Sequence, residues 1–210
     1  MSTVDTLFSL LDPALFKVHD LFVVEAEDLT EIFQEHSIGP NKSHSSELPR
    51  RDAAADQLIS GARIWSGVEG TSLGVGGIIS MGPNLLALMR TLLRVVQSVA
   101  WVYDAQPNSD KEKGQVWKIL LQGISKSPAI AASSGVLSGQ IAHMLIRQAT
   151  QKLLARLGVI KSKNLLRKLM PLVGALAQGI SNATLTKEVG EIAKQHYREQ
   201  FLKRFTIETN

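Results

Sequence analysis

Between Pro83 and Tyr103, the residues Leu86, Met89, Leu93, Val96 and Ala100 fall three or four positions apart. That period gathers all five on one face of an α-helix, whereas a strand would alternate its apolar residues across two faces. The same spacing recurs along the chain. Leu15, Val18, Phe22, Leu29, Ile32 and Phe33 follow Asp12-Pro13, an N-cap and first-turn proline pair. A helix is expected over 52–68 through Leu58, Ile59, Ala62 and Trp65, and another over 187–205 through Val189, Ile192, Ala193, Tyr197 and Phe201. Ser109-Asp-Lys-Glu112 reads as a capping box, Ser127-Pro128 as a second N-cap pair, and Gly158 as the stop of the helix that Ser127 opens. No run alternates apolar and polar residues with β-branched enrichment. The expected fold class is therefore all-α, a compact bundle of seven or eight helices with small-residue (Gly/Ala/Ser) helix packing.

One stretch, Ser37 to Pro49, has the composition of a linker. The chain divides on these cues into an acidic N-terminal helical arm (1–36), a linker (37–51) and a helical domain (52–210). At 210 residues, 44% of them apolar, it is long enough to bury a core. It has no cysteine, which excludes disulfides, thiolate catalysis and thiolate-held iron–sulfur or zinc sites.

Charge is distributed unevenly. Residues 1–56 hold 11 acids against four bases, and residues 57–210 hold eight acids against 19 bases. Between Glu112 and Glu188 lie 75 residues without an acid but with 11 Lys/Arg. Seven of these cluster as Arg147, Lys152, Arg156, Lys161, Lys163, Arg167 and Lys168. One-sided basicity attracts polyanions such as anionic lipid headgroups or nucleic acid, while a solvated face that keeps the chain soluble is the plainer reading. The acidic arm is also a candidate cover for the basic body, and removing residues 1–50 would then strengthen lipid binding.

Three windows carry no Lys, Arg, Asp or Glu: 70–89, 127–146 and 169–186. They approach the roughly 20 residues of a bilayer span. Glycine, proline, Asn and Gln interrupt them, so packing inside a helical body is the favoured reading over insertion. Ser66, Gly70 and Gly74 form a stripe of small residues at helical spacing, as do Ala131, Gly135 and Gly139. Such stripes let helices approach closely, and Gly77 and Gly174 join them as packing positions.

No catalytic constellation is legible. The glycine run 70–77 lacks the Lys-Ser/Thr of a phosphate loop and a preceding strand. The histidines, His19, His36, His44, His143 and His196, form no close ligand pair, and no nucleophile elbow occurs. No catalytic residue, metal or cofactor is expected. Nucleic acid is the rival for the basic stretch, but no aromatic lies between Trp117 and Tyr197 to stack on bases.

Gly74-Val-Gly-Gly-Ile-Ile-Ser-Met-Gly-Pro83, the apolar helix after it, Tyr103-Asp104, Pro171-Leu-Val-Gly-Ala175, Asn182, Val189-Gly190 and Tyr197 follow one another in an order that resembles the EcsC family of bacterial helical proteins. The resemblance spans roughly residues 55–205; Asp104-Ala105 stands where a Tyr-Gly turn is expected. It implies membrane association in a setting near transporters, and it supplies no catalytic residue to carry over.

Met1-Ser-Thr-Val-Asp5 has neither the n-region of a secretory signal nor a myristoylation glycine, and Ile207–Asn210 is no prenylation box. The expected place is the cytoplasm, peripheral to the inner face of the membrane. The expected function is non-catalytic: the seven basic residues bind an anionic membrane surface or a membrane protein complex, with homo-oligomerisation left open. A soluble helical protein–protein adaptor and a hydrolase with dispersed residues are the alternatives.

Overall fold

The structure, a computed structural model, describes residues 18–39, 45–73, 81–126 and 182–208. Five α-helices are bounded among them: α1 (Thr30–Glu35), α2 (Leu48–Leu73), α3 (Met81–Val102), α4 (Asp110–Lys126) and α5 (Asn182–Glu208). Short 3-10 turns at Ala26–Leu29 and Ser45–Glu47 lead into α1 and α2, and no strand occurs among the described residues. The all-α expectation holds. The expected count of seven or eight takes in 127–181, which lies outside the described residues.

Helix α3 forms where its apolar spacing places it. Met89, Leu93, Val96 and Ala100 are all buried, together with Leu88, Leu92, Val95, Val99 and Val102. The helix starts two residues before Pro83, so the proline occupies its first turn, where a missing N–H costs no hydrogen bond. Helix α5 packs against α2, α3 and α4. Its Leu185, Val189, Ala193, Tyr197 and Phe201 are buried, one stripe at helical spacing. Trp117, Ile119, Leu120 and Ile124 of α4 complete the same core.

The last residues of two charge-free windows are internal. Leu88 and Met89 close the first window, Leu185 and Thr186 the third, and all four are buried. Among the described residues no helix is long and apolar enough to cross a membrane.

Two glycines set how closely α5 is approached. A Cβ on Gly123 of α4 would stand 2.8 Å from Val189 Cγ2 and 3.1 Å from its Cα. A Cβ on Gly190 of α5 would stand 2.8 Å from Ile59 Cγ1 of α2. Neither position was singled out as a packing glycine from spacing. Of the expected packing set, Gly70 lies on α2 with its surroundings undescribed, and Gly74, Gly77, Gly135, Gly139 and Gly174 lie outside the described residues. Within the Ser66 stripe, Ser66 is buried and its hydroxyl donates to the Arg63 carbonyl at 3.0 Å.

Two readings change. The N-terminal arm is not helical throughout, although its helical spacing continues through Phe22 and Leu29. The chain turns at 21–22 and runs without regular structure over 23–25 before the 3-10 turn. Glu25 and Asp28 cap that turn reciprocally, and side chains of distant residues hold the non-helical backbone. Gln97, fully buried, accepts from the Val24 N–H (2.9 Å) and donates to the Phe22 carbonyl (3.1 Å). Trp101 Nε1 (2.8 Å) and Asn108 Nδ2 (3.1 Å) donate to the Val24 carbonyl. Val18, Val24, Leu29 and Ile38 are buried. Residues 18–38 are therefore packed and bonded onto α3 and the α3–α4 turn, and cutting them away would strip α3 rather than uncover a surface. The second change concerns Trp65. It was grouped with the apolar face of α2, yet it is 68% exposed beside Ile64 at 69%, while Ile59 is buried.

Gly123→Ala is expected to lower stability by about 1–3 kcal/mol, because a backbone atom blocks the added methyl. Gly61→Ala, with nothing within 4 Å of its Cβ, is expected to raise it by up to about 1 kcal/mol through helix propensity. Urea unfolding midpoints of the two variants check both signs.

Candidate functional site

A cluster of charged and polar side chains gathers at the C-terminal end of α3. The last carbonyls of a helix lack intrahelical partners and carry partial negative charge. The chain here closes with Ala105 N–H donating to the Ala100 carbonyl (2.9 Å) and Asp104 N–H to that of Trp101 (3.0 Å). Asp104 sits between them with φ 60°, the left-handed position that glycine takes most readily in such a closure. Arginines cover the remaining carbonyls. Arg51 Nη1 donates to Val102, and Arg204 Nη1 donates to Asp104 at 2.8 Å.

The same arginine ties three helices. Arg51 Nη2 donates to Glu47 Oε2 at 2.9 Å, and its guanidinium lies 4.7 Å from the centre of the Phe201 ring on α5. Beside it, Tyr103 Oη donates to Asp52 Oδ1 at 2.6 Å. Arg198 Nε reaches both oxygens of that carboxylate at 3.1 Å. Burial pushes the Tyr103 phenol well above its usual range, and its bond to the Asp52 carboxylate pushes it further. The tyrosine is a locked donor at neutral pH, not a proton shuttle.

A cleft of about 1190 Å³ opens next to this cluster, with Phe33, Ile38 and Trp101 on its apolar side and Glu47, Arg51 and Asp104 on its charged side. Apart from Glu27, which is exposed, its charged groups are committed to one another or to the backbone. Glu47 holds Arg51, Asp104 holds Arg204 (3.4 Å), and Arg50 Nη1 donates to the Ser37 carbonyl at 3.1 Å. No histidine lines it among the described residues. The arrangement caps and joins helices.

A second polar cluster lies in the seam of α4 and α5. His196 Nε2 is 2.7 Å from Gln115 and 2.8 Å from Gln200, and its ring stands edge-on to Tyr197 at 5.3 Å. Tyr197 Oη and Glu112 Oε2 are buried without a hydrogen-bond partner among the described residues. The capping box expected at Ser109–Glu112 is half formed: the Glu112 N–H donates to Ser109 Oγ at 3.4 Å. Burial lowers the His196 pKa and raises those of Glu112 and Tyr197. His19, beside the start of α4, is also lowered by burial, and its Nε2 lies 3.5 Å from Asn108 Oδ1.

The basic residues singled out from sequence, Arg147, Lys152, Arg156, Lys161, Lys163, Arg167 and Lys168, lie outside the described residues, as do His44 and His143. His36 bonds Gln57 at 2.6 Å, and Gln57 in turn bonds Glu35 at 2.8 Å. No group of three potential metal ligands occurs among the described residues. The contacts of Arg51 with Val102 and of Asp52 with Tyr103 and Arg198 are not legible in the sequence, because each joins residues 51 to 146 positions apart.

The model of the EcsC protein family matches this chain over residues 14–202. The match begins far ahead of residue 55 and takes in most of the acidic segment, in keeping with the packing of Val18–Ile38 onto α3. No curated protein and no solved structure matches.

The titrations give a sign for stability. A histidine whose folded pKa lies below its unfolded value of 6.5 favours the neutral ring, so its contribution is full above about pH 6.5 and is lost on acidification. Glu112, raised above 4.5, acts oppositely: its contribution is full below about pH 4.5 and is lost as pH rises through the folded pKa. The unfolding midpoint is expected to fall on acidification below about pH 6.5, less steeply in His196→Gln. At about pH 7 it is expected to be higher in Glu112→Gln than in the parent. Denaturant titrations across pH read all three.

Proposed function

The chain belongs to the EcsC family, and from that premise we propose that it is a non-catalytic protein that binds the surface of an anionic membrane through the basic residues between Arg147 and Lys168. The observation that carries this reading is the segregation of charge, 75 consecutive residues with 11 Lys/Arg and no acid. Basic residues near an anionic bilayer contribute about 1 kcal/mol each, so seven clustered ones are ample for reversible binding. Surface contact rather than crossing accords with described helices that are too short of apolar length to span. The charged groups at the end of α3 do not compete for this role, since they neutralise one another and the helix terminus.

The acidic segment opposes the same attraction. Glu27 and Glu31 are exposed on it. Deleting residues 1–50 would remove buried Val24, Leu29 and Ile38 along with the acids, so charge should be removed without removing the segment. Glu27→Gln with Glu31→Gln is expected to strengthen binding to anionic vesicles a few-fold at low salt, and unchanged binding would exclude the masking role.

Co-sedimentation of the full chain with phosphatidylglycerol-containing and with pure phosphatidylcholine vesicles tests the reading. Binding is expected to the anionic vesicles alone and to fall with salt. Reversal of Lys161, Lys163, Arg167 and Lys168 to Glu is expected to cost about a hundredfold or more in affinity. Absence of binding to any vesicle would overturn it and favour a helical protein–protein adaptor.

A further inference from the structure

The exposed side of α2 carries a second feature that the basic stretch does not explain. Ile64 and Trp65 are neighbours in sequence, and each is more than two-thirds exposed. Gly61, one turn before Trp65, faces open space. Ser60, on the same side, is exposed and uncharged, and beyond it Gln57 is bonded to His36 and Glu35. Between Asp56 and Glu69 the helix has a single charge, Arg63, which is exposed and makes no ion pair among the described residues. The acids nearer its start are engaged elsewhere, Asp52 with Arg198 and Asp56 with Lys194 at 2.6 Å. An isoleucine and an indole flanked by an arginine therefore project from a helix whose opposite side, Ala55 and Ile59, is fixed in the core.

We infer that Ile64 and Trp65 of α2 enter the interfacial layer of the bilayer, with the Trp65 indole at headgroup level and Arg63 against the lipid phosphates. This inference rests on the vesicle-binding reading above and assigns that reading a point of apolar contact. Size favours a lipid surface over a protein partner. The two side chains offer roughly 300 Å² of apolar surface, well short of the ~800 Å² per partner that a stable protein interface buries. An interfacial contact needs no such area, because a few aromatic and aliphatic side chains reach the headgroup boundary while electrostatic attraction supplies the remainder. Charge points the same way: Arg63 is complementary to anionic headgroups, and no acid lies among residues 57–68.

The experiment uses the full chain and vesicles of equal parts phosphatidylglycerol and phosphatidylcholine, with brominated phosphatidylcholine as quencher. Trp101 is tied to Val24 and Trp117 is fully buried, so the difference between the parent and Trp65→Phe isolates Trp65 emission. On binding, that emission is expected to shift to the blue, to be quenched by shallow bromine labels, and to lose its accessibility to acrylamide. Ile64→Ser with Trp65→Gln is expected to weaken vesicle affinity about tenfold without changing the far-UV circular dichroism. Gly61→Leu, which adds an apolar side chain into open space on the same side, is expected to strengthen it. If the parent sediments with vesicles while Trp65 is unquenched and these variants bind as the parent does, the inference is overturned and the basic-surface reading stands. If the double variant changes the oligomeric state but not vesicle binding, the contact is with a second copy, and the inference is again overturned. If the parent binds no vesicle at all, both fall.

Discussion

At Val189-Gly190 helix α5 is approached from two sides at distances no ordinary pair of side chains allows. Gly123 of α4 closes on Val189, and Ile59 of α2 closes on Gly190. One residue presents a branched side chain to a glycine, and the next presents its own missing side chain to a branched residue. Because α2 and α4 are both seated there, α5 can carry Arg198 and Phe201 to the end of α3, where Arg51, Asp52 and Tyr103 meet them. Loosening that seat would separate Arg198 from Asp52 and Phe201 from Arg51. The charged cluster is a consequence of the close approach, not a separate centre.

The N-terminal segment depends on the outer side of α3 in the same way. Gln97, Trp101 and Asn108 answer the backbone groups of residues 22–24. A net contribution of about 1 kcal/mol per bond is modest, but leaving the buried Val24 N–H unpaired would cost about 1–3 kcal/mol. An acidic arm that looks separable by charge is thus joined to the core by polar side chains of the helices it lies against.

How much of this was legible follows from the range of each interaction. The apolar stripes of α3 and α5 are local patterns: Met89, Leu93, Val96 and Ala100, and Val189, Ala193, Tyr197 and Phe201, are named by spacing and buried, while Ile192 is only half-buried. Asp104-Ala105 was visible as a departure from the expected Tyr-Gly, and its meaning is a left-handed residue at a helix end, held by Arg204. The break at residues 21–25 was not legible, since periodicity carries on through it and the groups that hold the break belong to residues more than 70 positions away. Gly123 and Gly190 stand alone rather than in stripes, so only the distances of the folded chain identify them. Trp65 was misplaced because a helix turn brings it near the core-facing side without putting it there. The charge segregation that carries the functional proposal is a property of sequence alone, and the charged groups at the end of α3 are spent on one another.

Hydrogen–deuterium exchange of the full chain, with and without phosphatidylglycerol-containing vesicles, tests the central claim most directly because it reports where the membrane touches. The account predicts vesicle-dependent protection in peptides covering residues 147–168, with peptides at the end of α3 and along the cleft unchanged. Protection confined to the Asp52–Tyr103–Arg198 cluster or the cleft, or none anywhere, would contradict it.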